Sequence, residues 1–143
     1  MPATDVFFDT NVLLYLVSSD VAKADKAETL LADGGHISVQ VLNEFASVAV
    51  RKRSMTWEAI TDVLGVVRAV CHVHPLTVET HDRACVIAQR YGFSFYDSLI
   101  VASALLANCS AVYSEDLQAE QRIGRRLIVR NPFAPLASAC QTR

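Results

Sequence analysis

The sequence predicts an α/β domain built on a mainly parallel sheet of five strands with right-handed helical crossovers. Three observations carry this expectation. Short β-branched or aromatic runs alternate with longer segments of helical period, the pattern of βαβ units. The 143 residues suffice for one domain with its own core, and 52% of them are hydrophobic against 20% charged, the reverse of a disordered composition. No linker, repeat or low-complexity stretch interrupts the alternation, so residues 1–133 read as a single domain and 134–143 as a C-terminal tail.

In chain order, Val6-Phe7-Phe8 is the first strand, followed by a helix through Val12-Leu13-Leu14-Tyr15-Leu16 and another over Val21 to Ala32, which Gly34-Gly35 ends. His36-Ile37-Ser38 is a second strand and Val39 to Lys52 a third helix. Thr56 is placed to cap a helix running to about Val70, with Glu58 favourable in its first turn. Cys71 to His74 is strand-like and is stopped by Pro75, and Thr77 to Tyr91 is helical, with Gly92 as its stop. Tyr96 to Ala107 is an almost wholly apolar helix, Ala111 to Tyr113 a fourth strand, and Leu127 to Val129 a fifth.

The formal net charge of −2 excludes indiscriminate attraction to phosphates. The charges are segregated, however. Seven acids and two lysines fall within residues 1–50, whereas residues 121–143 hold five arginines and no acid. Cys71, Cys85, Cys109 and Cys140 lack any CxxC pair and read as buried free thiols of a reducing, cytoplasmic compartment. No basic leader opens the chain, and the longest uncharged run, Ser98 to Ser114, is too short and too polar for a membrane span.

In open α/β sheets, ligands bind beyond the carboxyl ends of the strands. Asp9 follows the first strand directly and Asp116 follows the fourth, in Ser114-Glu115-Asp116. Each also reads as a turn or helix cap. Asp97 stands at the start of the apolar helix, on the face of Ile100, Val101 and Ala104, with capping again the alternative. Glu44 lies mid-helix, three after Val41 and four before Val48, where capping is excluded. A glutamate bent toward water is the competing reading there. Taken together, the four are aimed at one end of the sheet. Carboxylates brought close raise one another's pKa, a penalty that a hard divalent cation removes. Oxygen-only ligation suits Mg²⁺ or Mn²⁺, and His36, His72, His74 and His81 offer no zinc site by their spacing. Such a cation commonly joins carboxylates to a substrate phosphate, so phosphoester hydrolysis is the expected chemistry.

The segments Phe8-Asp9-Thr10-Asn11-Val12-Leu13-Leu14-Tyr15, Val41-Leu42-Asn43-Glu44-Phe45, Phe95-Tyr96-Asp97-Ser98-Leu99-Ile100-Val101-Ala102 and Tyr113-Ser114-Glu115-Asp116-Leu117-Gln118 resemble the acidic motifs of PIN-domain ribonucleases. The resemblance is nearest to the VapC-type toxins of bacterial type II toxin–antitoxin modules and extends to Ile128-Val129-Arg130-Asn131-Pro132-Phe133, covering most of residues 5–133. It implies a three-layer α/β/α sandwich and an acidic quartet, Asp9, Glu44, Asp97 and Asp116, that holds Mg²⁺, or Mn²⁺ in its place. Asn11 would orient Asp9, Ser114 would sit beside the fourth acid, and Glu115 would face solvent. The implied activity is metal-dependent endoribonuclease cleavage, restrained by a cognate antitoxin seated in a groove beside the active site. Val12, Leu13, Tyr15, Leu16 and Val17 would line that groove or, for most of them, pack in the core. A homodimer is the implied assembly, with no membrane association.

The basic segments then acquire a use. Arg51, Lys52 and Arg53 end the Glu44 helix, and Arg122, Arg125, Arg126 and Arg130 follow Asp116. They would flank the acids and hold the RNA backbone, a solvated basic face being the plainer reading. A phosphoacceptor receiver domain is the rival from another class, but the paired acids and the late lysine it requires are missing, with no Lys after Lys52. A noncatalytic RNA-binding PIN domain is the other alternative, which four intact carboxylates disfavour.

Overall fold

A computed structural model of the chain describes residues 5–133. The predicted tail at 134–143 and Cys140 lie outside the described residues. In order, the elements are β1 (Val6–Phe8), α1 (Thr10–Tyr15), α2 (Val21–Ala32), β2 (Gly35–Ser38), α3 (Val39–Arg53), α4 (Trp57–Val70), β3 (Cys71–His74), α5 (Val78–Tyr91), α6 (Phe95–Leu106), β4 (Ala111–Tyr113), β5 (Arg122–Ile123) and β6 (Leu127–Arg130). One sheet of order β3-β2-β1-β4-β6-β5 runs through them, and every pairing is parallel except β5 with β6.

The five expected strands are therefore six. The addition, β5, is two residues long and antiparallel, too short for any hydrophobic period to reveal it. Helix α1 begins at Thr10 rather than Val12 because Asp9 caps it, and α6 begins at Phe95 because Ser94 caps it. The expected cap at Thr56 accepts from the Ala59 N–H, and Gly92 ends α5 at φ 77°. No described helix is long and apolar enough to cross a membrane.

Consecutive strand residues point to opposite faces. Phe7 and Phe8 are both fully buried, so helices cover both faces of the sheet at β1. On α3, Val41, Phe45 and Ala49 recur every four residues and are completely buried, which places half-buried Glu44 at the edge of that stripe. Burying each large side chain such as Phe45 contributes about 2 kcal/mol. Val12 and Leu13 belong to this core, whereas Tyr15, Leu16 and Val17 are half-buried around it. Of the three described cysteines, all free, Cys71 and Cys109 are buried as expected. Cys85 is not: it lies on the exposed side of α5, one position past buried Ala84.

Gly35 opens β2 at φ +152°, and a Cβ there would meet Phe8 Cε2 at 2.5 Å and the Val6 carbonyl oxygen at 2.9 Å. Both atoms belong to the neighbouring core strand. Gly35→Ala is expected to destabilise the fold by about 3 kcal/mol or more, read as a lowered midpoint in urea unfolding; an unchanged midpoint would contradict this packing.

Candidate active site

Strands β2 and β3 lie to one side of β1 while β4 lies to the other, so the chain reverses its direction across the sheet between β1 and β4. At such a switch point the loops diverge and leave a crevice at the carboxyl ends of the strands. Asp9 ends β1 and Ser114 ends β4, and the Asp9 N–H donates to the Tyr113 carbonyl at 3.0 Å. The crevice between them, about 240 Å³, is lined by Asp9, Glu44, Asp97 and Asp116 together with Thr10, Asn11, Leu14, Ser47, Val48 and Arg51. All four predicted acids thus line one cleft.

Each acid arrives by a different route. Asp9 is 4% exposed; it accepts the Thr10 N–H at 2.6 Å and the Ser114 hydroxyl at 2.7 Å. Burial pushes its pKa up to about 7 against those two hydrogen bonds, with the charges of Asp116 and Asp97 adding to the rise. Asp97 is the third residue of α6, where its N–H donates to the cap residue Ser94 at Oγ, 3.1 Å, and a hydrogen bond from Ser94 also holds its carboxylate. Its side chain is half-buried and its pKa is raised, first by burial and then by Asp116 and Glu44. Glu44 accepts the Thr10 hydroxyl at 2.6 Å. Asp116 is exposed, in a loop whose Asp116 and Leu117 N–H groups both donate to Ser114 Oγ.

Two expected roles change. Asn11 donates to Asp116 at 3.0 Å, not to Asp9, because it lies one residue into α1 and reaches across the cleft mouth. Glu115 is half-buried and accepts the Tyr15 hydroxyl, to which Lys23 also donates at 3.3 Å. Thr10 is the residue that sequence reasoning missed. Its signal was its place directly after a strand-end aspartate, but the link to Glu44 spans 34 positions and depends on how α1 packs on α3.

The basic residues separate. Arg51 lines the cleft, the one cationic residue to do so among the described residues. Lys52 and Arg53 follow it in the exposed last turn of α3, and Arg53 donates to the Val17 carbonyl at 3.1 Å. Arg122 pairs opposite Ile128 on the outer strand, while Arg125 and Arg126 occupy the turn that precedes β6. As β6 runs parallel to β4, that turn lies at the amino end of the sheet, away from the acids. Arg125 and Arg126 therefore do not flank the cleft.

The donor set of the cleft is carboxylate, amide and hydroxyl oxygen, with no sulfur or imidazole, which fits a hard cation. Among the described residues no three His, Cys, Asp or Glu side chains already form a complete ion-holding set.

The profile of the PIN domain family matches residues 6–123. Among solved structures, the chain is similar to VapC20 of Mycobacterium tuberculosis, described as a sarcin-ricin loop cleaving toxin, at 21% identity and a TM-score of 0.63, covering 76% of this chain and 88% of that one. A toxin–antitoxin complex from Klebsiella pneumoniae aligns at 18% identity and a TM-score of 0.67, covering 90% and 98%. VapBC2 from Rickettsia felis, bound to a DNA fragment from its promoter, aligns at 19% identity and a TM-score of 0.62, covering 88% and 97%. No curated protein matches the chain significantly. With its acidic cleft at the β1–β4 switch point and a family match that spans most of its length, the chain belongs to the PIN domain family.

Proposed function

We propose that the chain is a metal-dependent endoribonuclease acting as the toxin of a type II toxin–antitoxin module. The observation that carries this reading is the meeting of Asp9, Glu44, Asp97 and Asp116 in one cleft with Arg51 at its edge. Asp9, Asp97 and Asp116 would hold Mg²⁺, or Mn²⁺, with Glu44 completing the acidic set. When bound, the ion supplies positive charge that polarises phosphoryl oxygens and lowers the pKa of water.

The remaining work falls to the chain's own groups. Arg51 takes a backbone phosphate at the cleft's edge and holds the scissile group over the acids. Glu44 has one oxygen fastened by Thr10, which leaves the other to receive a proton from the attacking water. Asn11 holds one carboxylate oxygen of exposed Asp116 at the cleft mouth. A bond forms between the water oxygen and phosphorus as the bond to the 3′ oxygen breaks. The leaving oxygen takes a proton from solvent water, giving a 5′ phosphate and a 3′ hydroxyl, and Glu44 returns its proton to solvent.

An antitoxin belongs to the same reading, and the similarity to toxin–antitoxin complexes supports it. Its apolar segment would use the cleft of Leu16, Leu31, Val66, Val67 and Val70, where Val66 is 68% exposed. A homodimer and a cytoplasmic location complete the proposal.

Three outcomes are expected. RNA cleavage by the purified chain should require Mg²⁺ or Mn²⁺ and should fall about 100-fold or more in Asp97→Asn, as for loss of one transition-state contact; cleavage in chelator, or full activity in the variant, would sink the mechanism. Arg51→Gln should weaken RNA binding and reduce its log–log salt slope by about 0.7, whereas the double change Arg125→Gln, Arg126→Gln should leave both unaltered.

The third outcome concerns pH. A raised carboxylate pKa means that the metal-free folded state retains the Asp9 proton after the unfolded chain has lost it. Stability from this group is therefore present below the unfolded value of 3.8 and is lost as pH rises toward about 7. Thermal melts of metal-free protein should show Asp9→Asn gaining on wild type across that interval, by an order of 2–4 kcal/mol, and saturating Mg²⁺ should narrow the gap. A difference constant with pH would refute the burial of a charge at Asp9.

A further inference from the structure

At the far edge of the sheet, parallel pairing of β2 with β3 sets His36 beside His72 and Ser38 beside His74. Residues two apart on a strand share a face, so all three histidines stand on the same face. His36 Nδ1 and His74 Nε2 are 2.9 Å apart, with ring centroids 5.1 Å apart, so the two rings meet nearly end to end. The His72 ring lies 4.3 Å from that of His74 and 5.8 Å from that of His36. His36 and His74 are half-buried and His72 is exposed. His74 also lines a cleft of about 190 Å³ with Thr77, Glu79, Thr80 and Ser103. Ser103 Oγ is buried and has no hydrogen-bond partner.

We propose that His36, His72 and His74, gathered on one face of two paired strands, are ligands for one late first-row transition ion, Cu²⁺ above all, which His36 Nδ1 and His74 Nε2 take by turning out of their hydrogen bond. Two nitrogens about 2.0 Å from an ion stand about 2.8 Å apart at a right angle and about 3.3 Å apart in a tetrahedron. At 2.9 Å, with ring centroids 5.1 Å apart, the two nitrogens now face each other along a hydrogen bond, so each ring turns to bring its lone pair onto a shared ion at the right angle of tetragonal Cu²⁺ or Ni²⁺. The Irving–Williams order places Cu²⁺ highest for nitrogen ligands. His72 does not complete the set as it stands, but an exposed side chain on an edge strand is free to rotate toward the pair.

The nitrogens are also available. Burial holds both His36 and His74 below the ordinary histidine range, with His72 adding to the effect at each and His36 adding at His74, which is pushed down to about 4. At neutral pH both rings are uncharged, and the single proton shared between the facing nitrogens moves to the outer nitrogen of its own ring when the ion enters. Binding then needs a change of tautomer rather than loss of a proton. The ion would join β2 to β3 at the end of the sheet opposite β5, through nitrogen ligands that the oxygen-lined cleft lacks.

The test is a titration of the chelator-treated full chain with Cu²⁺, followed by calorimetry and by electron paramagnetic resonance for nitrogen coupling. We expect one equivalent bound with at least two nitrogens, affinity reduced about tenfold or more in His36→Gln and in His74→Gln, and no change in Asp97→Asn. Circular dichroism checks the folding of both variants, and His72→Ala, altered at an exposed position, should weaken binding while leaving two nitrogens in the spectrum. Absence of binding at micromolar Cu²⁺ overturns the proposal. So does binding that survives both glutamine variants and is lost instead in His81→Gln, or in Asp97→Asn.

Discussion

The carboxyl end of the sheet is organised around a carboxylate withdrawn from water. Asp9 is held between adjacent parallel strands, where only an N–H and a hydroxyl offset the loss of hydration. Those neutral partners do not neutralise its charge, as its displaced pKa records. The next two residues carry the arrangement outward: Thr10 fastens Glu44 of α3, and Asn11 fastens Asp116 after β4. Three consecutive side chains at the start of α1 are thus tied to two distant parts of the chain, α3 and the loop after β4. A short helix of six residues can serve in this way because its other face, Val12 and Leu13, is locked into the core.

The net charge of −2 conceals this arrangement, because it averages over opposite ends of one sheet. Acids gather where β1 and β4 end, and Arg125 and Arg126 sit in the turn at the other end. The histidines occupy a third region, the outer edge formed by β3. The acidic cleft and the histidine cluster are therefore separated in space.

Much of this was legible in the sequence, for identifiable reasons. Asp9 and Asp116 could be placed because a strand end fixes where the next side chain stands, and Glu44 because helical period puts it beside Val41 and Val48. Asp97 was placed correctly although the cap belongs to Ser94, since either start leaves its side chain at the same end of α6. What could not be read depended on register and sidedness. His36 had no partner by spacing along the chain, yet parallel pairing brings it to His72 and His74. The two-residue strand β5 carries no period, and it is the pairing of β6 alongside β4, which the local pattern does not fix, that turns Arg125 and Arg126 away from the acids. Asn11 and Glu115 found partners about 100 positions distant, Asp116 and Tyr15, which local pattern does not encode.

Ser114 has a single hydroxyl proton and two lone pairs. The N–H groups of Asp116 and Leu117 occupy the lone pairs, so the proton has one destination, Asp9 Oδ2. The direction of that bond is thereby set by the loop and not by the ionisation of the acid. When Asp9 takes up a proton, it must carry it on another lone pair, and the latch stays closed. The loop bearing Asp116 is accordingly held by hydrogen bonds whose direction does not depend on the charge of Asp9.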